Sequence, residues 1–141
     1  MPEQRSVLLL IADDWSALAG CYGHPVIRTP HVDALAAEGV RFSHAFCTTP
    51  SCAASRASVL TGLYSHTHGQ YGHSHGVHAF RTRRQVRSVP RVLRENGFLT
   101  GVVGKLHVEP PEVYPGAHPP GCATARGPGA CRTGASARPR G

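Results

Sequence analysis

Three groups of residues in this sequence have types and spacings that can carry chemistry: Asp13-Asp14, the run Cys52-Ala53-Ala54-Ser55-Arg56, and Lys105 with His107. Adjacent carboxylates repel each other unless a cation neutralises them, and paired hard oxygen ligands suit Ca²⁺ or Mg²⁺. Taken alone, the pair also fits a plain acidic turn. Cys52 falls where a turn enters a helix, with Arg56 one turn later on the same face. A helix N-terminus favours anions and lowers a thiol pKa, which suits a reactive sulfur; a buried, inert cysteine fits the same position. Lys105 offers a point charge and His107 a proton carrier, or both lie in a solvated loop.

These groups need elements to hold them. Val7-Leu8-Leu9-Leu10-Ile11-Ala12 is apolar without alternation, the pattern of a strand buried on both faces of a parallel sheet. It ends at Asp13-Asp14, the carboxyl end of the strand, where open α/β sheets bind ligands. Thr29-Pro30 reads as an N-cap and first helical position, and Val32, Leu35 and Ala36 form the apolar stripe of a helix that Gly39 stops. Val40, Phe42, Ala45 and Phe46 suggest a short strand. Thr48-Thr49-Pro50-Ser51 turns into a helix from about Ala53 to Leu63. Tyr64 to Val86 is a polar loop rich in Gly and His. Ser88 caps a helix over Val89 to Asn96, closed by Gly97, and Leu99 to Val103 is a second buried-strand candidate leading to Gly104-Lys105-Leu106-His107. The alternation of strand and helix predicts an α/β fold with a mostly parallel sheet flanked by helices.

The run from Cys52 through Leu60-Thr61-Gly62 resembles the signature of the sulfatase family, Cys-x-Pro-Ser-Arg followed closely by Leu-Thr-Gly. Leu9-Leu10-Ile11-Ala12-Asp13-Asp14 is similar to that family's first strand and metal-binding Asp pair. Thr29-Pro30-His31-Val32-Asp33-Ala34-Leu35-Ala36 resembles its Thr-Pro-Asn-Leu-Asp-x-Leu-Ala helix, and Gly101 to His107 its Gly-x-x-Gly-Lys-x-His segment. Four motifs in the family's order span nearly all of residues 6–115. Tyr71-Gly72, the histidine-rich stretch ending Val77-His78-Ala79-Phe80, Val86-Arg87-Ser88-Val89-Pro90, and His107-Val108 through Val113-Tyr114-Pro115 look most like the sulfamidase subgroup, which cleaves N-linked sulfate from glucosamine.

The resemblance implies the N-terminal part of an alkaline-phosphatase-like α/β fold and hydrolysis of a sulfuric ester or N-sulfate. It implies that a formylglycine-generating enzyme oxidises Cys52 to formylglycine, whose hydrate attacks sulfur. Asp13, Asp14 and the modified Cys52 would hold a divalent cation, usually Ca²⁺, that polarises the sulfate. Arg56 would hold the hydrate or sulfate through its fork of donors, Lys105 would contact sulfate, and His107 would assist proton transfer. The partners implied are a sulfated sugar or other sulfate ester and the modifying enzyme. Two departures stand out. Ala54 replaces the proline of the maturation motif, removing its fixed φ. The family's further metal ligands, an Asp followed by Asn or His, and a further active-site His lie far downstream in the family and have no counterpart here.

Composition sharpens the picture. Of the formal net charge of +7, residues 116–141 contribute +4 from four Arg with no Asp or Glu, and they contain no Leu, Ile, Val, Met or aromatic residue. Such a stretch cannot form a core. The expected organisation is therefore residues 1–115 as the N-terminal portion of a sulfatase catalytic domain and 116–141 as a disordered Gly/Ala/Pro/Arg tail. That tail reads like a GC-rich gene translated out of frame, with Cys122 and Cys131 incidental. An incomplete parallel sheet should leave apolar surface uncovered and prone to aggregate. The longest apolar run is too short to span a membrane, Met1 to Arg5 does not open a secretory signal, and five irregularly spaced cysteines argue for a reducing, cytoplasmic setting. Basic charge concentrated in the tail is a weak basis for nucleic-acid binding. Two other readings remain: a metal-binding module on His66, His68, His73, His75 and His78, and a phosphate or phosphonate ester hydrolase of the same superfamily.

Overall fold

The computed structural model describes residues 5–75 and 77–115; the expected tail, with Cys122 and Cys131, lies outside the described residues. The chain divides into two compact units, one ending at Phe46 and one beginning at Cys47.

In the first unit, α1 spans Pro30–Glu38, with proline at its first turn and the Gly39 N–H returning to the Leu35 carbonyl at 3.0 Å. Thr29 stands at the N-cap as expected, but its hydroxyl makes no capping bond to the helix. It instead donates to Asp33 Oδ1 at 2.9 Å and accepts the Gly20 N–H at 2.8 Å, while the same Asp33 oxygen accepts the Cys21 N–H at 2.7 Å. One Thr-Asp pair at the start of α1 thus anchors the 3-10 turn Gly20–Tyr22. The approach is so close that a Cβ on Gly20 would stand 2.6 Å from Asp33 Oδ2, so a side chain here would have to displace that carboxylate.

In the second unit, α2 spans Cys52–Thr61, α3 is the single turn Ser65–His68, and α4 spans Val89–Glu95. The small residues Ala53, Ala54 and Ala57 give α2 a buried face. Ala57 packs with Val108, Val113 and Tyr114, and Leu60 and Leu106 lie against this cluster. Alanines there let the 106–114 segment approach the helix axis closely. A polar lattice closes the rest. Thr82 donates its hydroxyl to Gln70 Oε1 at 2.9 Å and pairs with the Tyr114 hydroxyl at 2.7 Å, and its backbone N–H reaches the Glu109 carbonyl at 2.7 Å. Ser88, buried at the N-cap of α4, donates to the Val113 carbonyl. The stretch expected to be only a loop is therefore partly buried and tied to the end of the described chain.

The sheet expected from sequence is not confirmed. Among the described residues no strand forms over 7–12, 40–46 or 99–103. Val7, Leu8, Leu9 and Leu10 are all exposed, as are Phe42, Phe46, Leu99 and Val103. A strand satisfies its backbone groups only against a neighbouring strand, and an apolar run states a demand for burial that these segments do not meet with each other. These aliphatic side chains stand exposed at the surface of the described residues.

Candidate active site

Cys52 is the first residue of α2, preceded by Ser51 in an extended conformation (φ −135°, ψ 137°). It is a free, half-buried thiol at the end of a helix whose first-turn N–H groups have no partner within the helix. Their partial positive charge favours an anion or a polar oxygen there. Arg56 follows one turn on. It is only 8% exposed, and its Nη1 donates to the backbone carbonyl of Lys105 at 2.6 Å. A charged donor on a carbonyl is among the stronger protein hydrogen bonds, and it fastens α2 to a segment 49 residues further along.

The fastened segment carries the other two expected residues. Gly104 turns with φ +91°, Lys105 is exposed, and His107 adopts a left-handed backbone with φ 57°. His107 stacks on His73 with ring centroids 4.7 Å apart and on His75 at 5.2 Å, and its Nε2 lies 3.0 Å from His75 Nε2. Burial holds His107 below the usual imidazole range, and His73, Lys105, His75 and Arg56 each push the same way. A neutral imidazole in this position can accept a proton. The expected residues Arg56, Lys105 and His107 are thus brought together, with Cys52 on the helix that Arg56 anchors.

Asp13 and Asp14 belong to the other unit. Both are exposed, and Asp14 has φ 53°, the left-handed conformation that a short polar side chain tolerates in a turn. Two adjacent carboxylates in an open turn are chemically suited to a hard divalent cation, as two of the six to eight oxygens such an ion takes.

A sulfatase family model matches residues 5–115. The chain belongs to the sulfatase family. Over 111 residues the chain is 48% identical to human N-sulphoglucosamine sulphohydrolase, a match covering 79% of this chain and 22% of the relative. It is 35% identical to the ulvan-active sulfatase of Formosa agariphila, with 79% and 22% covered, and 37% identical to human arylsulfatase D, with 72% and 18% covered. The chain spans about a fifth of the length of these curated relatives. The family implies an alkaline-phosphatase-like α/β fold, of which helices alone form among the described residues.

The histidine loop departs from the five-residue module considered from sequence. His66 stacks on Tyr64, His78 on Phe80, and His68 is fully buried beneath α2. His68 Nδ1 accepts the Gln70 N–H at 3.0 Å, so the neutral ring carries its proton on Nε2 and donates it to Ser58 Oγ, also 3.0 Å away. His68 is a structural pin. His73 and His75 instead join His107, a grouping no local spacing could announce because it joins residues more than 30 positions apart. The only sequence cue was the alternation of His73 and His75, which puts both rings on one side of an extended chain. Among the described residues no helix is long and apolar enough to cross a membrane.

Proposed function

We propose that the chain carries part of the catalytic site of a hydrolase acting on sulfate esters or N-sulfates, with N-sulfated glucosamine as the first substrate class to test. The observation that carries this reading is the Arg56–Lys105 hydrogen bond, which joins the helix starting at Cys52 to the segment bearing Lys105 and His107. The similarity to a human N-sulphoglucosamine sulphohydrolase supports the substrate class.

In this reading Cys52 is the site of oxidation to formylglycine, and Asp13 and Asp14 contribute to holding a divalent cation, Ca²⁺ by the hard-oxygen character of the pair. The aldehyde hydrate would supply the attacking oxygen, and the cation would polarise the sulfate. The chain's own residues do the rest. Arg56, held by the Lys105 carbonyl through Nη1, places a planar guanidinium charge one turn from Cys52, suited to an anion at the start of α2. The α2 N-terminus adds its partial positive charge. The exposed Lys105 ammonium neutralises charge on a sulfate oxygen, and His107, kept neutral by burial, takes or returns a proton. Sulfuryl transfer, like phosphoryl transfer, asks chiefly for positioning and charge stabilisation.

The deciding experiment co-expresses the chain with a formylglycine-generating enzyme and follows the Cys52 peptide by mass spectrometry and hydrazide capture. Conversion of the thiol to a hydrazide-reactive aldehyde, absent in C52A, is the expected result. A peptide that remains an unmodified thiol under these conditions removes the formylglycine route. Ala54, where the motif carries proline, makes the A54P variant the natural comparison, with faster conversion expected.

A further inference from the structure

We infer that His73, His75 and His107 form a binding site for a borderline transition cation, Zn²⁺, Ni²⁺ or Cu²⁺, separate in its chemistry from the carboxylate pair. One ring nitrogen from each of the three lies within 4.8 Å of the others. The ring planes are nearly parallel, tilted by 7° to 18°, with centroids 4.7–5.2 Å apart. Three imidazoles without a carboxylate make a borderline, neutral nitrogen set, which selects Zn²⁺, Ni²⁺ or Cu²⁺ over Ca²⁺.

Two further observations point to a ligand. The Nδ1 atom of His73 is buried and has no hydrogen-bond partner among the described residues. A buried ring nitrogen is ordinarily satisfied. His75 Nε2 and His107 Nε2 are 3.0 Å apart, close to the separation of about 3.3 Å between two nitrogens on one tetrahedral Zn²⁺ with bonds near 2.0–2.1 Å. The proton between them is what the metal would displace. His75 is exposed, so the site opens to solvent, and a three-histidine set leaves the fourth position of a tetrahedral ion for water or an anion. A metal lies in the plane of each imidazole it binds, so the stacked rings must turn about χ1 and χ2 to converge on one point, the exposed His75 most freely. Arg56 and Lys105 place positive charge nearby and weaken the site, so micromolar affinity is expected, below that of a dedicated structural zinc site.

The test is titration of the 141-residue chain with Zn²⁺ by calorimetry and with Co²⁺ by visible absorption, in H73L, H75Q, H66Q and H78Q beside the parent. H75Q alters an exposed side chain and leaves the folded core untouched. The expected result is one Zn²⁺ per chain, weakened by at least about tenfold in H75Q and in H73L and retained in H66Q and H78Q. Co²⁺ should give tetrahedral d–d bands without a thiolate-to-cobalt transition. Absence of saturable binding, binding that survives H75Q and H73L, equal loss in H66Q or H78Q, or a thiolate band from Cys21, Cys47 or Cys52 would each overturn the assignment. His107 also carries the proton in the hydrolase reading, and a bound cation would occupy that ring; because the readout here is metal occupancy, failure of this site and failure of that reading are distinguishable.

Discussion

Arg56 Nη1 lies 2.6 Å from the backbone oxygen of Lys105. A side chain on α2 therefore sets the height of a loop whose own sequence, Gly-Lys-Leu-His, has no regular element to hold it. Removing it strips the Lys105 carbonyl of a charged partner. R56A should lose about 2–3 kcal/mol in urea unfolding, the scale of a hydrogen bond to a charged group, and R56K should recover part of that. An R56A unfolding midpoint equal to the parent's would mean that the loop is held by other contacts.

Tyr114 makes alkaline stability a readout of the core. It is 1% exposed, and burial raises its phenol above the ordinary tyrosine range, partly offset by the bond to Thr82. The folded state thus favours the neutral phenol. That contribution is whole below the ordinary value near 10.0 and is lost as pH rises through the raised one. Y114F should cost about 1 kcal/mol at neutral pH and flatten the alkaline fall in melting temperature. A Y114F profile that falls as steeply as the parent's would assign the alkaline limb elsewhere.

His68 does the opposite on the acid side. Burial, then the neighbouring His66, hold it below the usual imidazole value. A proton added at Nδ1 would face the Gln70 N–H it now accepts, while Arg83, whose Nη1 reaches the Thr67 carbonyl, adds positive charge from the adjoining segment. The neutral ring's contribution is whole above the ordinary value and is lost as pH falls through the depressed one. Melting temperature should drop as pH falls below the ordinary value of 6.5, and H68Q should reduce that slope. An unchanged slope in H68Q would clear His68 of the effect.

Gly62 tests backbone strain with no packing term. It closes α2 at φ +69°, and a Cβ there would meet nothing within 4 Å. G62A should therefore lose about 1–2 kcal/mol, with G62N losing less, since asparagine visits the left-handed region more readily. Equal stability of G62A and the parent would show that the turn relaxes.

The helices were legible because their signals are local. Thr29-Pro30 and Gly39 bracket α1, and the turn before Cys52 and the glycine at 62 bracket α2 within two residues of the expected ends. The strands expected at 7–12 and 99–103 do not form among the described residues, for a physical reason. Continuous aliphatic residues record what the segment would bury in a full-length relative, while strand formation depends on partners that the described residues do not provide. Of the candidate site, Cys52, Arg56, Lys105 and His107 could be named from motif spacing. That Arg56 grips a backbone oxygen, or that His73 and His75 stack on His107, depends on a chain path no spacing encodes.

The division at Phe46 also sorts the chromophores. The single Trp15, half-buried, lies in the unit ending there, and the deeply buried phenol of Tyr114 lies in the other. Indole emission and phenolate absorbance therefore serve as separate optical clocks, one for each unit. Unfolding traces that coincide at both wavelengths would reveal one cooperative body, and traces that part would time the two units individually.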